Sequence, residues 1–246
     1  MTYRTGGDEV VAMLRSAGVE VIFGIPSVHN LPLYDAIRRD GRIRAVTVRH
    51  EQAAAAAADG YARTTGRLGV CITSTGPGAA NAMGGLLEAF VSSSPLLHLT
   101  GQIESSLMGR SRGFIHEVPD QLAMLRSVSK AAYRPRSAGE IAPTIARAAL
   151  EAMTSPAGPV SVEIPIDFQY TNLSGARRPT SLVPGGPEPA SGAEITRAAE
   201  LVASSCRPIV WAGGGAVAAG AAPEVTRLVH RLGAGLLTSP NGRGIL

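Results

Sequence analysis

The sequence predicts an α/β protein: a six-stranded parallel sheet with helices on both faces, then a linker, then an incomplete second, Rossmann-like α/β domain. Three observations carry this. Short apolar runs of strand length alternate with runs of helical period through the first 168 residues. The strand-like runs are continuous in Val, Ile and Leu rather than alternating with polar residues, as in a sheet buried on both faces. Glycine-marked turns punctuate them.

In chain order, Val10, Val11 and Leu14 mark the apolar face of a first helix that Gly18 ends, and Val19 to Phe23 reads as a buried strand broken by Gly24-Ile25-Pro26. Leu31 to Arg39 has helical period and Ile43 to Val48 reads as a strand. A helix from about Glu51 to Thr65 leads into a strand at Leu68 to Thr73. After Gly76-Pro77-Gly78 a helix is expected from about Asn81 to Val91, then a strand at Leu96 to Thr100. Val128 to Tyr133 and Val160 to Ile164 read as the last two strands, separated by a helix over Ile141 to Met153. Residues 171 to 192 hold four prolines, four glycines and few large apolar side chains, the composition of a linker. Beyond it, Ile195, Ala198, Ala199 and Val202 mark a helix, Pro208 to Trp211 a strand and Gly213-Gly214-Gly215 a turn. Val225, Leu228, Val229 and Leu232 mark another helix, and Leu236 to Thr238 a second strand. Two strands and two helices cannot close a doubly wound domain, so this domain is either cut short or completed by another polypeptide.

Composition narrows the function. With 45% hydrophobic and 17% charged residues, the 246-residue chain has ample material for a core. No run is long and apolar enough for a membrane span, and the N-terminus lacks the apolar region of a secretory signal, so a soluble, cytoplasmic protein is expected. Cys71 and Cys206 sit in apolar contexts and make no disulfide or metal pattern. Arg38, Arg39, Arg42, Arg44 and Arg49 form a basic cluster without aromatic residues to stack bases, which reads as a solvated helix-to-strand connection rather than a nucleic-acid patch.

Four polar segments fall at the carboxyl ends of expected strands, the edge where parallel sheets build sites. They are Gly24 to Asn30, Arg49 to Glu51, Ser74 to Asn81 and Thr100 to Gln102. Glu51 follows a strand and opens an alanine-rich helix whose small side chains allow close packing. Desolvation there would raise its pKa and suit it to proton transfer near neutrality. The alternative is an ordinary first-turn glutamate favoured by the helix dipole. Ser74 to Asn81 lacks the lysine of a phosphate-binding P-loop, and Gly213 to Ala218 matches a dinucleotide fingerprint only weakly. His29, His50, His98 and His116 are too dispersed for a metal site. His98 lies within an apolar strand and reads as a core residue, whereas His29 and His116 fall in rim loops as candidates for substrate contact.

Taken together and in order, G-I-P-x-x-x-N-L-P-L-Y-D-A-I, V-R-H-E-Q-A-A-A-A-A-A-D-G-Y-A-R-T-T-G, T-S-T-G-P-G-A-A-N and H-L-T-G-Q resemble thiamine diphosphate enzymes of the acetolactate synthase type. The resemblance implies that residues 1–170 are the pyrimidine-binding domain, 171–192 the linker and 193–246 the N-terminal part of the central domain, which carries FAD in some relatives and nothing in others. It implies that Glu51 is the cofactor-activating glutamate, hydrogen-bonded to the pyrimidine ring so that the cofactor can lose its thiazolium proton. Pro26, Gly76 and Asn81 match loops near the pyrimidine, and Gln102 matches a Gly-Gln turn facing the reacting centre.

Departures from the family pattern direct the expectation of substrate. Ser27-Val28-His29 stands where relatives are glycine-rich, and Phe114-Ile115-His116-Glu117 replaces a Phe-Gln-Glu segment. His29, Phe114 and His116 are therefore expected on the substrate side, with a 2-keto acid decarboxylase, carboligase or C–C lyase more plausible than acetolactate synthesis itself. The G-D-G and Asn-Asn segments that hold Mg2+ and the diphosphate in the family are absent. The resemblance thus implies the N-terminal half of a split enzyme, a heteromer such as a dimer of heterodimers, with the metal ligands on a second polypeptide. A catalytically inactive binding or regulatory module, or a truncated product of the same fold, is the alternative.

Overall fold

The computed structural model describes residues 4–174, 182 and 189–246. Most of the expected linker lies outside them. The chain divides into two compact units, Met1–Gly186 and Pro187–Leu246.

In the first unit the elements are β1 (Arg4–Thr5), α1 (Gly6–Ser16), β2 (Val21–Gly24), α2 (Leu31–Asp40), β3 (Arg44–Thr47), α3 (Glu51–Thr65), β4 (Gly69–Thr73) and α4 (Pro77–Val91). They continue as β5 (Leu96–Gln102), α5 (Gln121–Arg126), β6 (Ala131–Tyr133), α6 (Ile141–Met153), β7 (Pro159–Pro165), α7 (Ile166–Tyr170) and β8 (Asn172–Leu173). Six strands form one parallel sheet in the order β3-β2-β4-β5-β7-β6, and β1 pairs with β8 in a short antiparallel ribbon. Because β3 and β4 lie on opposite sides of β2, the order reverses there. Loops leaving β2 and β4 flank the resulting crevice, the place where open α/β sheets bind ligands.

The sheet is buried on both faces because successive strand residues point opposite ways. On β4, Val70 and Ile72 join an apolar layer with Val10, Leu14, Leu33, Ile37 and Ile145, drawn from α1, α2 and α6. Cys71 between them joins the other layer, with Ala54, Ala55, Ala58, Ala82 and Leu86 from α3 and α4. Each large side chain so buried contributes about 1.5–3 kcal/mol. The alanine layer is thin: a Cβ on Gly69 would stand 2.1 Å from the carbonyl oxygen of Ala58, and one on Gly85 would stand 2.7 Å from Ala55 Cβ.

The expected helices at Glu51–Thr65 and Ile141–Met153 are present with those bounds. Three expectations are corrected. Helix α4 starts at Pro77, four residues before Asn81, because proline at the first helical position needs no N–H partner. The last strands are shifted, with β6 beginning at Ala131 rather than Val128. Cys206 is exposed, and only Cys71 is buried.

The second unit contains α8 (Gly192–Ala203), β9 (Ile209–Ala212), α9 (Gly214–Ala218), α10 (Ala222–Leu232) and β10 (Gly235–Thr238), with β9 and β10 parallel. Here Gly214 and Gly215 open a short helix rather than a turn. Ser191 and Glu194 cap α8 reciprocally, yet no residue of that helix is buried. Ile195, Leu201, Ile209, Trp211 and Leu237 are exposed. Among the described residues no helix is long and apolar enough to cross a membrane.

Candidate active site

The rim at the carboxyl ends of β2, β4 and β5 is held by buried polar side chains. Asn30, wholly buried, clasps two of its loops: its Oδ1 accepts from the Ser27 N–H at 2.7 Å, and its Nδ2 donates to the carbonyls of Ile25 (3.1 Å) and Thr73 (3.0 Å). The Ser74 carbonyl accepts from the hydroxyls of Thr73 and Thr100 at 3.2 and 2.8 Å. Since Thr73 donates there, it accepts from Nε2–H of His98, whose bare Nδ1 then accepts from Ser161. Burial pushes the His98 pKa down to about 3, so this ring is a neutral core group, as its strand position predicts.

Glu51 is the first residue of α3, after His50, whose Nδ1 accepts from the Gln52 N–H as an N-cap. Asn81, one turn into α4, donates from Nδ2 to Glu51 Oε2 at 3.0 Å. Oε1 lies against Gly78, where a Cβ would stand 2.9 Å from it. The carboxylate is half-buried, and Gln52 and Ala53 beside it are exposed. The dry surroundings expected from the alanine run are therefore not supplied by this unit: Ala54, Ala55 and Ala58 face α4 and the sheet, while Glu51 opens outward.

Gly76 precedes α4 with φ +59° and ψ −109°, a conformation suited to glycine, and a Cβ there would meet the His116 carbonyl at 2.4 Å. His116 itself has φ +65°, an unusual backbone for a side-chain-bearing residue, and places Nδ1 3.4 Å from Ser74 Oγ. Its ring lies 5.6 Å, centroid to centroid, from that of His29. His29 is 5% exposed and its Nδ1 has no hydrogen-bond partner. Burial, and then the neighbouring His116, lower its pKa, which keeps the ring neutral near pH 7.

The remaining candidates stand apart from these groups. Pro26 is exposed, and Phe114, 40% exposed, sits on a loop whose Gly113 and Phe114 N–H groups donate to Glu117. Gln102 is buried, donating to Glu163 Oε2 at 3.2 Å and accepting from the Ile103 N–H at 2.8 Å. With Gln121, Arg134, Met108 and Val118 it lines a cavity of about 280 Å³. Thus the structure joins Glu51, Gly78 and Asn81 in one group and His29, His116 and Ser74 in another, around a shared loop. Sequence reasoning placed Asn30 at the end of a rim segment without giving it a role, and missed Gln121 and Glu163. Only Glu163 leaves a signal, as a lone carboxylate inside the apolar strand V-S-V-E-I-P.

Residues 4–124 match the model of the thiamine pyrophosphate enzyme N-terminal TPP binding domain, and residues 195–246 that of the thiamine pyrophosphate enzyme central domain. The chain belongs to the thiamine pyrophosphate enzyme family. Within it, the chain is 37% identical to a probable acetolactate synthase large subunit of Methanocaldococcus jannaschii, over 97% of its own length and 41% of the relative's. It is 39% identical to a probable 2-ketoarginine decarboxylase of Pseudomonas aeruginosa, over 98% of its length and 43% of the relative's. An acetolactate synthase large subunit of Corynebacterium glutamicum is 34% identical over 96% of the chain and 37% of that protein. The chain thus spans about two fifths of the length of these thiamine pyrophosphate enzymes. The residues around Glu51 suit the pyrimidine end of the cofactor: a carboxylate held by one donor, with spare acceptor capacity, beside a position where a side chain would intrude.

Proposed function

We propose that this chain is the pyrimidine-binding, N-terminal part of a cytoplasmic thiamine diphosphate-dependent enzyme. It acts on 2-keto acids or related ketones by decarboxylation, carboligation or carbon–carbon cleavage. The domains are residues 1–170, a linker at 171–192, and the start of a central domain at 193–246. A second polypeptide supplies the diphosphate-binding domain and the Mg2+ ligands. The observation that carries the reading is the Glu51 carboxylate, fixed by Asn81 and open beside Gly78.

Thiamine diphosphate, when bound, supplies the electron sink that stabilises a carbanion. The protein's part is orientation and proton control. Asn81 engages Oε2, so Glu51 keeps Oε1 as its free proton acceptor or donor beside Gly78. His29 and His116, their rings tilted at 47° to one another at the rim, are the substrate-side candidates, and the buried Nδ1 of the neutral His29 is left without a hydrogen-bond partner. Support for a covering polypeptide comes from Gly84, Leu87, Glu88 and Val91, an exposed stripe at helical spacing on α4, and from the half-open Glu51.

The test is purification from the host with any co-purifying chain, equilibrium dialysis with thiamine diphosphate, and a 2-keto acid consumption assay. The expectation is cofactor binding and turnover in the wild-type complex. Glu51→Gln should keep its circular dichroism and Tm while losing on the order of a hundredfold in turnover. Failure of the complex to bind thiamine diphosphate, or wild-type turnover in Glu51→Gln, overturns the reading.

A further inference from the structure

Gln121 is 1% exposed and reaches three strand ends at once. Its Oε1 accepts from the Gly76 N–H at 2.6 Å, and its Nε2 donates to the Gly101 carbonyl at 3.0 Å and to Glu163 Oε2 at 2.9 Å. Glu163, fully buried on β7, also accepts from Gln102 Nε2 and from the Arg134 guanidinium, so its carboxylate meets donors only. That arrangement leaves the Gln121 amide one orientation: nitrogen toward Glu163, oxygen toward Gly76. Gly76 in turn sets the start of α4, and Gly78 two residues later touches the Glu51 carboxylate.

We propose that Gln121, oriented by Glu163, is a positioning residue that fixes the Gly76–Gly78 loop against Glu51 and so presets the seat of the cofactor. The loop needs such a tether. Its glycine backbone is the permissive point of the rim, and the Gly76 N–H has no helical partner. Burial raises the Glu163 pKa against the opposing effects of Arg134, Gln121 and Gln102, in keeping with a carboxylate whose charge depends on those donors. No other part of the mechanism uses Gln121, and the cofactor arm of the proposal rests on the function proposed above.

The test is Gln121→Glu, which keeps the shape but sets a second carboxylate against Glu163. The groups facing the pair are Arg134, just after β6, Glu117 and Asp120, which line the same cavity, and His116 over Gly76. At pH 7.5 the variant loses its donor to Glu163. The Gly76 amide should then exchange with solvent at least about tenfold faster, and thiamine diphosphate should bind about tenfold more weakly, as for one lost hydrogen bond to a charged group. Lowering the pH toward 5.5 protonates one carboxyl of the pair, restores a donor and should return both readouts toward wild type. The exchange Gln121→Glu with Glu163→Gln removes the charge repulsion and puts an amide opposite a carboxylate, but it leaves a carboxylate oxygen against the Gly101 carbonyl and an amide nitrogen against Gln102 Nε2, so both readouts should recover in part at pH 7.5. Wild-type amide exchange in Gln121→Glu at every pH overturns the proposal, as does a defect that neither acid nor the double variant relieves. Cofactor binding is measured on the complex with the co-purifying chain; if the wild-type complex binds no thiamine diphosphate, the functional reading fails while the Gly76 exchange still decides the role of Gln121.

Discussion

Gly78→Ala separates the fold from the site. Gly78 lies in α4 and its φ is not positive, so alanine strains no dihedral and improves helix propensity by about 1 kcal/mol. Its Cβ would nevertheless stand 2.7 Å from Ser74 Cβ and 2.9 Å from Glu51 Oε1. Carbon–carbon contacts settle at about 3.5–4.0 Å, so Ser74 Cβ must retreat by nearly an ångström, while the Glu51 oxygen must swing aside by a smaller amount. Overpacking of this kind costs about 1–3 kcal/mol, which the helical gain offsets in part. The net loss is about 0–2 kcal/mol, or a fall in Tm of up to about 8 °C for a unit of this size. The carboxylate has less latitude. Turning Oε1 away from the added methyl rotates the carboxylate off its 3.0 Å bond from Asn81 and off the position it holds beside residue 78, and a lost charge-assisted bond weakens binding about 10- to 100-fold. Differential scanning calorimetry and equilibrium dialysis with thiamine diphosphate on the same preparation should give a small loss of stability beside a large loss of affinity. Wild-type affinity in a variant with the expected Tm would refute the placement of the cofactor against Glu51.

Two further outcomes follow from the buried polar groups. Asn30→Ala removes three hydrogen bonds and strands one N–H and two carbonyls inside the rim, so urea denaturation should show a loss of about 3 kcal/mol; a loss under about 1 kcal/mol would mean that water replaces the side chain. His98 takes up a proton only near pH 3 when folded and near 6.5 when unfolded, so in that window the unfolded chain binds more protons and acid destabilises. Stability measured at pH 7, 6 and 5 should fall below pH 6.5 by about 1.4 kcal/mol per pH unit from this group, and His98→Asn should lose that share of the slope; parallel curves for the two proteins would contradict it.

The sequence made the sheet and its order of helices legible because their signals are local. Continuous Val and Ile runs mark strands, and Gly66, in the left-handed conformation, ends α3 where the alanine pattern stops. Thr75-Gly76-Pro77-Gly78 misled, because the composition of a turn is also that of a helix starting on proline. Glu51 and Asn81 were found through resemblance; spacing alone left Glu51 as an ordinary first-turn acid. The Gln121–Glu163 pair was invisible because it joins positions 42 residues apart through tertiary contact. Nothing in the composition around Gln121 distinguishes it from a surface glutamine. Nor could the pattern of alanines reveal that the acid they follow faces outward.

The closeness of α3 to β4 and α4 bears on how this rim can move. Where Gly69 meets the Ala58 carbonyl and Gly85 meets Ala55, the three elements touch backbone to backbone with no long side chains to swivel between them. A helix seated that way does not slide or tilt in small increments. Glu51 therefore rides on a fixed mount, and any adjustment of the rim falls to the loops carrying His29 and His116. Enlarging Ala55 or Ala58 in that seam would push on the whole helix, and with it on the acid at its end.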